Sequence, residues 1–171
     1  QIMFKEIIAG DPVFRRFFQK KLLLYMVPNV FFNTCVPYFT FKNMEAVYLF
    51  QGELCFARFL LPMAFFLPFI ITFDILKKAA VLAGQGKTGL TLPYEINANR
   101  FLFRTAGING GITLAVVLLV SLFAQLCIPS GHGFNGTFLS ALLGLFAGVL
   151  TIVFAVLPLM RVLSRSRPSS L

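Results

Sequence analysis

The chain has 171 residues, of which 58% are hydrophobic and 12% charged, with a mean hydropathy of +0.84 and a formal net charge of +9. A soluble domain carries about 25% charged residues, so this composition excludes an ordinary water-soluble globule and indicates a protein surrounded by lipid. The positive charges cluster at the ends of apolar stretches, which is typical of membrane anchoring. We therefore expect one membrane domain and no nucleic-acid partner.

The first predicted element is an amphipathic interfacial helix over residues 12–21. Asp11 followed by Pro12 is typical of a helix start, with aspartate as the N-cap and proline at the first helical position. Phenylalanines then fall on one face of the helix and cations on the other, as expected at a membrane surface. A simple extension of the first span with outward-reaching arginines explains the same pattern, so both interpretations stay open.

Span 1 is predicted over residues 22–41 and carries a polar stripe on an otherwise apolar helix. Tyr25, Asn29 and Asn33 recur every four residues, with Thr34 beside them. Amides in hydrocarbon need hydrogen-bond partners, so this stripe should face other helices or water. It predicts either the wall of a solute path or a set of hydrogen bonds between helices.

Span 2, over residues 55–76, is the longest apolar stretch in the first half of the chain. Pro62 and Pro68 each remove a backbone donor and should bend this helix. The helix should continue past the membrane and stop at Gly84, because glycine commonly ends helices.

Two charges near the ends of span 2 are expected at the membrane interface. Arg58 lies about one turn inside the outer end, where the nearest acids that could pair with it are Glu53 and Glu45. Asp74 lies about 24 Å further along the helix axis, so it cannot reach Arg58. Its local partners should be Lys77 and Lys78, three and four residues away.

The second half of the chain predicts a cytoplasmic loop (77–104), span 3 (105–128), span 4 (138–160) and a basic tail (161–171). Asn109 in span 3 is a further candidate for the polar stripe. Small residues spaced by four permit close approach of helix backbones in membranes. They form a row in each of these spans, which we expect to pack against each other or a second protomer: Gly107 and Gly111 in span 3, and Gly136, Ser140, Gly144 and Gly148 in span 4.

The distribution of positive charge predicts how the chain is threaded. Apart from Lys42 and Arg58, every lysine and arginine lies in the N-terminal segment, the 77–104 loop or the tail. By the positive-inside rule these segments should share the cytoplasmic side, which an even number of spans allows. We expect a bacterial inner membrane location with both termini in the cytoplasm.

No pattern of catalytic or metal-binding residues is apparent. The weak candidates for metal ligands are Cys35, Cys55, Cys127 and His132, which all fall near the outer face but lack a recognised ligand spacing. Cysteines of this kind are ordinarily small packing residues. We expect no cofactor and no catalytic residues.

The sequence thus predicts an all-α integral membrane protein, a four-transmembrane-helix bundle with an N-terminal amphipathic interfacial helix. The favoured function is a non-catalytic membrane subunit or scaffold. It would pack against other transmembrane helices, from other subunits or a second copy, and against a cytoplasmic partner or anionic lipid. The alternative is a small oligomeric transporter or channel, with the polar stripe lining the path.

Overall fold

The computed structural model describes residues 12–44, 46–85, 99–129 and 131–165. They form four α-helices: α1 (Pro12–Phe41), α2 (Phe56–Gly84), α3 (Asn99–Cys127) and α4 (Gly136–Arg165). Each helix is long and apolar enough to span a membrane, and these residues contain no β-strand beyond one isolated bridge. The architecture is therefore all-helical, with four helices compatible with a membrane bundle.

The expected interfacial helix and span 1 form one continuous helix, α1, as in the alternative where the span is simply extended. Its 30 residues give a length of about 45 Å, which exceeds the roughly 30 Å of a bilayer core. Phe14 and Phe18 near its start are only 1% and 7% exposed and belong to the core shared with α2 and α4. The apolar face of the first turns therefore packs on protein.

The other helix ends follow local signals in the sequence. Asn135 caps α4, since its side-chain oxygen accepts hydrogen bonds from the backbone amides of Thr137 and Phe138 at 2.9 and 3.1 Å. α2 ends at Gly84, as the glycine predicted. α3 begins at Asn99, so much of the predicted 77–104 loop is helical. The rest of that loop, residues 86–98, and the end of the tail, residues 166–171, lie outside the described part of the chain.

Backbone hydrogen bonds join the α1–α2 connection, residues 42–55, to the α3–α4 connection, residues 128–135. Val47 and Phe134 exchange two backbone hydrogen bonds, of 3.0 and 2.9 Å, in an antiparallel bridge. The first two amides of α2 donate to the backbone carbonyls of Tyr48 and Leu49 at 3.0 and 2.9 Å. These bonds satisfy amides that a helix start would otherwise leave unpaired.

The helices are arranged in the order α1, α4, α2, α3. α4 packs against both α1 and α2, and α2 packs against α3 on its other side, whereas α1 and α2 make few contacts. The centre of the molecule is thus the α2–α4 pair, which supplies the fully buried side chains of Ile71, Ile75, Leu143 and Leu159.

The small-residue row of α4 faces α1, whereas we expected span 3 or a second protomer. An added Cβ at Gly136 would lie 2.6 Å from the Cβ of Phe41, and one at Gly148 would lie 3.2 Å from a methyl group of Val30. At Gly144 it would collide with the hydroxyl of Thr34. The row therefore permits the close approach of α1 to α4.

The predicted row on α3 has no close neighbour among the residues that the structure describes. A Cβ added at Gly107 or Gly111 would meet no described atom within 4 Å. The close approach of α3 to α2 occurs instead at Gly110, where a Cβ would lie 2.8 Å from the carbonyl oxygen of Phe65. Gly107 and Gly111 lie to one side of this contact, about 60° and 100° around the helix from Gly110.

Replacing Gly144 by alanine should separate α1 from α4. We expect Gly144→Ala to lower the free energy of unfolding by about 1–3 kcal/mol, because the new methyl group overlaps Thr34. The matched control is Gly107→Ala, where the space is open and alanine's better helix propensity should add up to about 1 kcal/mol. Unfolding in mixed micelles of mild detergent and sodium dodecyl sulfate measures both changes, and equal stability of the two variants would contradict the packing described.

Candidate functional site

A concave surface follows the line between α1 and α2. Because α1 is held on α4 rather than on α2, a groove remains between the first two helices. One part of it, which we call the polar groove, has a volume of about 410 Å³, within the range of small-molecule sites. Its lining residues are Leu24, Tyr25, Pro28, Asn29 and Asn33 of α1, and Arg58, Phe59, Pro62, Met63, Phe66, Leu67, Ile70 and Ile71 of α2.

The polar stripe of α1 supplies three of the residues in this groove, and two of those three also hydrogen-bond to other helices. The Asn29 amide donates to the hydroxyl of Thr151 on α4 at 3.2 Å, and the Tyr25 hydroxyl donates to the Asp74 carboxylate on α2. Asn33 donates to the backbone carbonyl of Asn29 at 2.8 Å, within α1. The stripe therefore joins helices and lines a groove at the same time.

Thr34, the fourth residue of the stripe, lies against Gly144 at the α1–α4 contact and is not part of the groove lining. Its hydroxyl donates to the backbone carbonyl of Val30 at 2.8 Å. This bond is the usual way for a threonine to satisfy its hydroxyl inside a helix.

Asn109 lies apart from the stripe. It is buried on α3, where its amide donates to the Thr72 hydroxyl of α2 at 3.1 Å and its oxygen accepts from Arg161 of α4 at 3.3 Å. Within one chain the structure does not bring Asn109 together with Asn29 and Asn33, because α3 packs on α2 whereas α1 packs on α4.

Arg58 stands at one end of the polar groove. Its guanidinium donates to the backbone carbonyl of Glu53 at 2.7 Å, rather than to the Glu53 carboxylate that we expected. Among the described residues no acid forms an ion pair with Arg58; Glu45, the other acid near it in sequence, lies outside that set. The guanidinium has five N–H donors, so further donors remain available.

Asp74 is the centre of a small polar cluster that crosses the groove. It forms an ion pair with Lys78, four residues on, and accepts the hydrogen bond from Tyr25 of α1. Lys77, which we also expected as a partner, lies instead over the ring of Phe73, 5.9 Å from its centre. The cluster links α1 to α2 where few other contacts do.

Beyond this cluster lies a second cavity of about 400 Å³, which we call the basic cavity. It is lined by Phe17, Lys21, Asp74, Lys77, Lys78, Val81, Leu82 and Gln85. Three lysines and one aspartate give its wall an excess of positive charge. The sequence had indicated membrane anchoring for these lysines but not that α1 and α2 bring them to one cavity.

The candidate metal ligands do not come together. The part of the chain that the structure describes has no group of three or more histidine, cysteine, aspartate or glutamate residues able to hold an ion. Cys35, Cys55 and Cys127 are free thiols on separate segments. His132 packs edge-on against Phe134, with ring centres 5.0 Å apart.

The hydrogen-bond partners of Asn29 and Asn109 were not predicted from the sequence. Thr151 and Thr72 are fully buried and each receives an amide from another helix. A threonine inside an apolar span was the available signal, but its hydroxyl can always bond to its own helix, so the sequence alone does not indicate the second bond.

Comparison with protein-family models, with curated proteins and with solved structures found no match to this chain.

The Asn29–Thr151 hydrogen bond should couple α1 energetically to α4. In a double-mutant cycle with Asn29→Leu and Thr151→Val, we expect a coupling energy of about 0.5–1.5 kcal/mol, as found for hydrogen bonds between membrane helices. The control cycle pairs Asn33→Leu with Thr151→Val and should give no coupling, since Asn33 donates within its own helix. Unfolding in mixed micelles provides the measurement, and equal coupling in both cycles would exclude the assigned bond.

Proposed function

We propose that this chain is a non-catalytic integral membrane subunit or scaffold, which binds a further transmembrane helix along the outer side of α3. The observation that carries this proposal is the open small-residue row formed by Gly107, Gly111 and Ala115. A Cβ at either glycine would meet nothing within 4 Å, and Ala115 is exposed. This backbone surface is open to a neighbour.

The chain itself contains an example of what such a row does. On α4, glycines at the same spacing of four allow α1 to approach until an added methyl group would collide with Thr34. Small residues at helix interfaces in membranes act in this way because close backbone contact replaces the missing hydrophobic drive. The row on α3 has the same spacing and no helix against it among the described residues.

The surroundings of the row suit a transmembrane helix as the partner. Ile108, Ile112 and Val116 are 47%, 59% and 53% exposed, and they border the row with apolar surface. A partner helix would therefore meet small residues flanked by branched apolar ones. It would come from another membrane subunit or from a second copy of this chain.

The proposal includes a placement in the membrane. All four helices would span a bacterial inner membrane, with both termini on the cytoplasmic side. The first turns of α1, over residues 12–21, would lie at the level of the headgroups, where exposed Arg15, Arg16 and Lys20 meet anionic lipid. The length of α1, beyond what a bilayer core requires, supports this position.

Replacing Gly111 by leucine should weaken association. Purified in mild detergent or in nanodiscs, the unaltered chain should be accompanied by another subunit or form a dimer. Gly111→Leu should reduce that association at least about 10-fold, because a bulky side chain would hold the partner backbone away. Val120→Leu, at an exposed position of the same helix outside the row, is the control and should associate normally.

Quantitative crosslinking in native membranes and particle mass in nanodiscs measure this association. A lone monomer in both, with no accompanying subunit, would count against the proposal. So would association that survives Gly111→Leu unchanged.

A second function, transport or conduction by an oligomer, is favoured by one observation. The polar groove brings Tyr25, Asn29 and Asn33 together with Arg58 along a cavity between two helices. Flux of ions or small solutes into liposomes, lost in Asn29→Leu plus Asn33→Leu, would support it. Thr40→Val removes a hydroxyl of α1 that is not part of the groove lining and should leave any flux intact. If the unaltered chain conducts no ion or solute, the transport proposal fails and the polar stripe serves only in helix packing.

A further inference from the structure

The basic cavity carries more positive charge than its own acid can offset. Asp74 forms an ion pair with Lys78, and among the described residues neither Lys21 nor Lys77 forms one. Lys21 lies close enough to Lys78 for the two ammonium groups to repel each other, and Asp74 relieves this repulsion in part. An anion between these lysines would remove the remaining imbalance.

The walls of the cavity are apolar away from the lysines. Phe17 on α1 and Val81 and Leu82 on α2 are at least partly exposed and border the charged groups. A small hydrated anion gains nothing from such walls, whereas an amphiphile would cover them.

The groove continues past the Asp74 cluster along the same two helices. Its next residues, Leu24 on α1 and Ile70 and Phe66 on α2, are 56%, 57% and 56% exposed. A hydrocarbon chain whose head is held at the lysines would lie along this surface and cover it from the bilayer side. The lysines of the basic cavity and the exposed apolar residues beyond them therefore lie one after the other along the same groove.

We propose that the α1–α2 groove is a binding site for an anionic phospholipid, with the phosphate held by Lys21 and Lys77 and one acyl chain lying past Leu24 and Ile70. Basic cavities between transmembrane helices suit anionic headgroups, with each lysine near the surface contributing to the attraction. This proposal rests on the membrane placement in the proposed function. It assigns a specific site to the anionic lipid that the proposed function includes as a partner. It does not depend on helix docking at α3.

The test uses the full chain in a neutral detergent, with phosphatidylglycerol as the probe and native mass spectrometry as the measurement. Phosphatidylglycerol should bind the unaltered chain more tightly than phosphatidylcholine, and glycerol 3-phosphate should not bind. Lys21→Gln plus Lys77→Gln should weaken phosphatidylglycerol binding about 30-fold, as the loss of two lysine contacts requires.

The matched control removes two cations outside the cavity. Lys42→Gln plus Arg100→Gln causes the same change in net charge at exposed positions that do not line the cavity. It should bind phosphatidylglycerol within about 3-fold of the unaltered chain. Equal loss in both double variants, equal binding of phosphatidylcholine, binding of glycerol 3-phosphate, or a second copy of the chain filling the groove instead of lipid would each overturn the proposal.

A thermal measurement separates this site from a general loss of folding. A ligand that binds the folded state raises the melting temperature, so phosphatidylglycerol should stabilise the unaltered chain. Lys21→Gln alone should stay folded in neutral detergent, because Lys21 forms no ion pair among the described residues, yet show less than half of the lipid-induced rise. A full rise in Lys21→Gln would overturn the assignment.

The outcome is independent of the test on α3. Gly111→Leu leaves both lysines in place and should bind phosphatidylglycerol like the unaltered chain. Loss of association without loss of lipid binding would count against lipid-mediated association, and loss of lipid binding in Lys21→Gln plus Lys77→Gln with association intact would establish the groove as a separate site.

Discussion

The close contact of α1 with α4 is the constraint on which the rest of the structure depends. Glycines at positions 136, 144 and 148 allow α1 to approach α4 closely, and α1 makes few contacts with α2. The groove lies along this sparsely packed line, and both cavities between α1 and α2 are parts of it.

Polar contacts then determine how α1 is oriented on α4. The amide of Asn29 reaches Thr151 across the contact, and the hydroxyl of Tyr25 reaches Asp74 across the groove. Polar groups that are at least partly buried need hydrogen-bond partners, so each bond favours one rotation of the helix. The same residues line the polar groove, so a substitution there would alter packing as well as any role in binding.

The sequence predicted the class of fold and the four apolar helices, because length and hydropathy are properties of each segment alone. It did not predict which helices touch. A row such as Gly136–Gly148 indicates a close contact but not its partner, and the partner proved to be α1. The partner of Asn109 was not predicted for a related reason, since an amide in an apolar helix indicates a hydrogen bond but not the helix that supplies its acceptor.

The Asp74 cluster divides the groove into parts of different chemistry. On one side the wall carries amides and one arginine, and on the other it carries three lysines that exceed their single acid. A ligand with one charged end and a long apolar part fits these neighbouring charged and apolar surfaces better than a compact polar solute does. A compact solute would leave most of the apolar wall uncovered.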